Sequence, residues 1–169
     1  GIFYLTIPSI AIFGRNEFAV RFPSAFLGAL TVFPLYFFIL EIFKKEKSQI
    51  INHKHIAFTG AFLLSISPWH ISTSRATSEV VISLFFALFG LYYFIRGTNT
   101  GRNLHFIIGF SLLASSYLFY HSVRILAPLF VGIILLHFWK VSTIRTKKIS
   151  LAIFFVLLGL TMILATNKE

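Results

Sequence analysis

IAFTGAFLLSISPWHISTSRATSEVVISLFFALFGLYYFI, residues 56–95, decides how the chain is read. Two apolar runs, Ile56–Ile71 and Val80–Ile95, flank an interruption that carries Arg75 and Glu79, with Trp69 and His70 just before it. Each run approaches the roughly 17–25 residues that a helix needs to cross a hydrocarbon core. The apolar residues are continuous rather than alternating, and an open sheet edge cannot face lipid, so the runs predict helices. Pro68 disfavours helix at Ser67, which leaves the first run as either a crossing helix or a re-entrant segment.

The same pattern extends in both directions. Further apolar spans are predicted at about 24–43, 104–120, 125–139 and 149–166, and residues 1–23 read as the end of an upstream apolar segment plus an outer juxtamembrane stretch. The fold class that follows is all-α, a polytopic transmembrane bundle of about six spans forming one domain. Composition agrees: of 169 residues 57% are hydrophobic and only 12% charged, too little polar surface for a soluble domain. The chain opens on Gly1 inside an apolar run and stops soon after another, so it reads as an internal segment of a longer protein. With no cysteine, disulfides are excluded. The net charge of +10 is scattered through short loops, and nucleic acid is excluded as a partner because no contiguous basic face forms.

Alternating spans sort the basic residues into two sets. One holds Lys44, Lys45, Lys47, Lys54, Arg96, Arg102, Lys140, Arg145, Lys147 and Lys148; the other holds Arg15, Arg21, Arg75, Arg124 and Lys168. The richer set belongs in the cytoplasm, which turns the 72–79 region outward and predicts a multi-pass inner-membrane protein. The inner lysines read as topological anchors, with Glu41 and Lys45 spaced for a helical pair.

The outer side carries the chemistry. Positive charge is disfavoured there, yet Arg21, Arg75 and Arg124 each stand beside a span. A guanidinium presents a planar fork that matches phosphate oxygens, so the three could form an anionic-headgroup site or could merely snorkel to lipid headgroups. If residues 72–79 are helical, Ser72, Arg75 and Glu79 share a face, and Glu79 either neutralises Arg75 or binds sugar hydroxyls or orients an acceptor. Trp69 is an aromatic-belt residue or a stacking face for a sugar. In YLFYHSVR (117–124), Tyr117, His121 and Arg124 share a helical face with Tyr120 beside it. His70, His121 and Glu79 could in principle hold a divalent metal, but no spacing specifies one, so no cofactor or metal is assigned.

Three stretches together, NEFAVRFPSAFLGALTVFPLYFF (16–38), SISPWHISTSRATSEVVISLFFALFGLYYFIRG (65–97) and YLFYHSVRILAPLF (117–130), resemble the dolichyl-phosphate-mannose–protein mannosyltransferase-like family of GT-C membrane glycosyltransferases. The resemblance implies a GT-C-like bundle whose active face is extracytoplasmic. It implies an inverting transfer from a polyprenyl-phosphate-linked sugar donor to a protein, lipid or glycan acceptor among membrane lipids. Arg75 and Arg124 would then stabilise the departing phosphate, with Arg21 as a further contributor, and His70, Trp69, Tyr120 and His121 would line the substrate site. The family keeps its main catalytic acid in a loop upstream of the position matching Gly1, leaving Glu79 a supporting role and the segment alone inactive. A transporter or flippase of an anionic lipid or glycan is the alternative. Such proteins usually place their sites near the bilayer midplane, in broken helices, whereas here the unusual polar residues gather at one surface.

Overall fold

The computed structural model describes residues 3–44 and 52–119, with Phe155 alone beyond them. The spans expected at 125–139 and 149–166, and Tyr120, His121 and Arg124, lie outside the described residues. Within them the chain is all-helical: α1 (Phe3–Phe13), α2 (Glu17–Leu30), α3 (Val32–Phe43), α4 (His53–Ile66), α5 (Pro68–Arg75), α6 (Glu79–Thr100) and α7 (Asn103–Phe119). Glu17–Phe43 and Glu79–Thr100 are each long and apolar enough to cross a membrane.

Prolines and caps set the joints. Gly14, at φ +79, ends α1 by donating its N–H to the Ile10 carbonyl, and Asn16 caps α2 by accepting the Ala19 N–H at 2.7 Å. α2 therefore begins at Glu17, about two turns before the first span read from apolar content. Pro34 has no N–H for the Leu30 carbonyl, and the helix is interrupted at Thr31 between α2 and α3. Pro23, inside α2, likewise frees the Ala19 carbonyl, which instead accepts a hydrogen bond from Ser9 Oγ at 2.6 Å. That bond ties α1 to α2. Ser67, ahead of Pro68, takes the extended conformation (ψ 121°), so the 56–71 run is two helices, α4 and α5.

Val81, Ile82, Phe94, Phe106 and Phe110 are buried in the α6–α7 region, but many of the other helix contacts are made by small residues while large aromatics face outward. Ala19, Ser24, Gly28, Ala57, Ala61, Ser74, Ser83, Gly90, Gly109, Ala114 and Ser116 are buried, while Phe18, Phe26, Phe33, Phe37, Phe58 and Phe62 are exposed. Small residues let helix backbones approach closely, the arrangement expected where lipid rather than water surrounds the bundle. α6 and α7 form an antiparallel hairpin turned by Gly101 at φ +67. At its centre a Cβ on Gly90 would lie 3.0 Å from the Gly109 carbonyl oxygen, and one on Gly109 equally near the Gly90 carbonyl. Ser83 Oγ donates to the Ser116 carbonyl at 3.0 Å on the same interface.

Charges fall at the two ends of this assembly. Glu41, Lys44, Lys54, Arg96 and Arg102 mark one end; Arg15, Glu17, Arg21, Arg75 and Glu79 mark the other. At the first end the buried Glu41 joins α3 to α6, its carbonyl and Oε1 accepting from Asn99 Nδ2 at 2.8 and 3.1 Å. Its ionic partner is Lys44 at 3.3 Å; Lys45, the partner expected from spacing, lies outside the described residues. The second end holds the candidate site.

Candidate functional site

α5 is a short helix laid against α2, and its seat is made of small and polar residues. Ser24 Oγ donates to the Ser74 carbonyl at 2.6 Å, and Ser74 Oγ donates to the His70 carbonyl at the same distance. His70 Nε2 lies 3.0 Å from the Gly28 carbonyl oxygen, which can only accept, so this nitrogen carries the proton. His70 is 4% exposed, and its Nδ1 has no hydrogen-bond partner among the described residues. His70 thus pins α5 onto α2, facing away from the surface that a substrate would reach. Gly28 is what permits the contact: a Cβ there would stand 2.7 Å from Ser74 Cβ.

With α5 seated, Arg21 of α2 and Arg75 at the end of α5 line one open cleft of about 620 Å³, together with Ile66, Pro68, Ile71, Ser72, Ala76 and Thr77. A second cleft of about 630 Å³ shares Arg21 and Thr77 and adds Ile10, Arg15, Asn16, Glu17 and Val20. Arg21 is paired with Glu17 at 3.5 Å, both side chains well exposed, a contact weak enough for a stronger anion to replace. Arg75 has no carboxylate within ion-pair distance among the described residues. The clefts therefore present three guanidinium groups and one carboxylate.

Residues 72–79 are not one helix. α5 ends at Arg75, Ala76–Ser78 turn the chain, and Ser78 caps α6 by accepting the Val80 N–H at 3.2 Å. Thr77 is at φ +53, so the single face expected for Ser72, Arg75 and Glu79 does not form. Ser72 and Arg75 stay together in the first cleft, whereas Glu79, in the first turn of α6, lines neither. Trp69 is 55% exposed and also stands apart from both clefts. Glu17 was overlooked as a site residue, although Asn-Glu ahead of an apolar run is a helix-start signal that places this carboxylate beside Arg21. Among the described residues no three His, Asp or Glu side chains gather as metal ligands would.

An apolar groove of about 400 Å³ runs between α3 and α4, lined by Val32, Phe33, Tyr36, Phe37, Phe58, Ala61, Phe62 and Ser65. Phe58 and Phe62 stack along one face of α4, and Ile66, one turn further on, lines the arginine cleft. The two concavities thus follow the same helix face, charged at the end and apolar below.

The family model described as dolichyl-phosphate-mannose-protein mannosyltransferase matches residues 1–165. No curated protein matches the chain, and no solved structure does.

Proposed function

The chain belongs to the dolichyl-phosphate-mannose-protein mannosyltransferase family of membrane glycosyltransferases, and on that premise we propose that Arg21 and Arg75 hold the phosphate of a polyprenyl-linked sugar donor. The observation that carries this reading is the shared cleft: two arginines from helices distant in sequence line it, and Arg75 has no ion-pair partner among the described residues. A phosphate reaching Arg21 displaces only an exposed Glu17 contact. The apolar groove continuing along α4 suits the hydrocarbon chain of the same donor.

The reaction is an inverting transfer at the extracytoplasmic face. The acceptor oxygen attacks the anomeric carbon from the side opposite the phosphate; the new C–O bond forms as the bond to the carrier phosphate breaks. The acceptor proton passes to a carboxylate, and the electron pair of the broken bond remains on the phosphate. Guanidinium groups already in place for that growing charge lower the barrier. Glu79 supports the acceptor side from the start of α6; Tyr120, His121 and Arg124, expected from the sequence to bind the donor, lie outside the described residues. Acceptors are a protein, lipid or glycan hydroxyl or phosphate.

The test is sugar transfer from a polyprenyl-phosphate donor by the full-length protein, purified and matched for folded amount. Arg75→Lys keeps the charge but loses the planar fork, so turnover at limiting donor falls about 10- to 100-fold, as a lost charged hydrogen bond predicts. Equal turnover of wild type and Arg75→Lys at limiting and saturating donor refutes the phosphate assignment.

A further inference from the structure

Thr77 stands where the two clefts meet, and it is the only non-glycine residue at positive φ among those described. In the left-handed region the Cβ of an L-residue crowds its own carbonyl, and a β-branched side chain makes this worse. Elsewhere the chain fills such turns with residues that escape the problem: Gly14 and Gly101. A glycine or asparagine at 77 would make the same α5–α6 turn at lower cost. The threonine side chain is therefore not there for the turn. Its hydroxyl has no hydrogen-bond partner among the described residues, it is only half-buried, and the residue lines both clefts beside Arg21 and two positions after Arg75.

We propose that the Thr77 hydroxyl is a third donor to the carrier phosphate, binding an oxygen that the Arg21 and Arg75 forks leave unmet and holding the leaving group at the junction of the clefts. The inference rests on the phosphate reading of the arginine cleft. A guanidinium donates only in its own plane, so two of them leave directions around a tetrahedral phosphate that a freely rotating hydroxyl can fill. Backbone strain kept at such a point, where a relaxed residue would serve the fold better, is the usual mark of a side chain retained for binding.

The experiment uses the full-length protein and separates fold from function by the sign of two effects. Thr77→Gly and Thr77→Asn both relieve the turn, so each raises the melting temperature by about 2–4 °C. Thr77→Gly leaves no donor in place of the hydroxyl, so it raises the donor KM about 5- to 50-fold, as loss of one hydrogen bond to a charged group predicts; the carboxamide of Thr77→Asn can itself donate, so its loss is smaller. Thr77→Ser restores the donor KM to within about twofold of wild type. Acceptor KM is unchanged in all three. If Thr77→Gly binds donor as wild type does, the proposal fails. If Thr77→Ser is as impaired as Thr77→Gly, the methyl rather than the hydroxyl matters and the proposal again fails. Failure of the underlying phosphate reading looks different: Arg21→Gln and Arg75→Gln would then leave the donor KM unchanged.

Discussion

Gly28→Ala tests whether the seat of α5 sets the geometry of the arginine cleft. The added Cβ would lie 2.7 Å from Ser74 Cβ and 3.1 Å from Val81 Cγ1, with Ser74 Oγ nearer still. Rotating the serine hydroxyl cannot help, because its Cβ is fixed to the α5 backbone. Reaching an ordinary carbon–carbon separation of about 3.5–4.0 Å requires α5 to retreat by about 1 Å. That retreat stretches the His70 to Gly28 contact, now 3.0 Å, beyond hydrogen-bonding range and strains the Ser24 to Ser74 bond. Overpacking of this kind costs about 1–3 kcal/mol, and two buried hydrogen bonds add about 0.5–1.5 kcal/mol each. The sum, about 2–6 kcal/mol, lowers the melting temperature in detergent by about 5–20 °C. Because α5 carries Arg75 and α2 carries Arg21, transfer by the molecules that remain folded also falls, by up to about a hundredfold for a 1 Å displacement. Gly60→Ala is the control: its Cβ meets only Ile39 Cδ1, the far end of a flexible side chain, which can swing aside. Wild-type melting temperature and donor KM in Gly28→Ala, or an equal loss in Gly60→Ala, would refute this account of the seat.

Two further substitutions probe the joints. Ser9→Ala leaves the Ala19 carbonyl without the partner that Pro23 denies it within the helix, so stability falls by about 1–3 kcal/mol, and Ser9→Thr restores most of it; thermal unfolding in detergent measures both. Asn99→Leu strips the buried Glu41 of its two Nδ2 contacts and loosens α3 from α6 at the end away from the clefts. It lowers the melting temperature while leaving the donor KM within about twofold of wild type, an outcome that transfer assays at two donor concentrations can check.

How far the sequence could be read follows from what each feature depends on. Helical class depends on local chemistry and was legible from the continuous apolar runs; Pro68 marked 56–71 as a weak span, but its division into α4 and α5, with Ser67 extended, came only with the structure. The choice of arginine on one side was legible for the same reason, and the structure brings Arg21 and Arg75 to one cleft. His70 shows where local reading stops. A histidine beside Trp69 and near Arg75 resembles a substrate ligand until helix packing is known, and only the approach permitted by Gly28 turns its ring toward the α2 backbone. The 72–79 stretch shows another limit. Ser-Arg-Ala-Thr-Ser-Glu contains neither the glycine nor the asparagine that announces a left-handed turn, so whether this interruption is helical stays open in the sequence.

That missing signal and the site's geometry have one physical origin. A continuous helix through 76–78 would carry α5 straight on into α6, and the short helix could not fold back across α2 to bring Arg75 beside Arg21. The break is made instead by Thr77 in a conformation costly for its type, and held by caps on either side: the Ala76 N–H donating to the Thr73 carbonyl at 3.3 Å and Ser78 on the first turn of α6. Strain at one residue is sustained because the contacts around it over-determine the turn: Ser24 and Gly28 hold α5 on one side, and Val81, fully buried, anchors α6 on the other. Local preference loses to tertiary packing at the position where two clefts join. It is there that arginines from two separate helices and the hydroxyl of the turn between α5 and α6 come to line the same cleft.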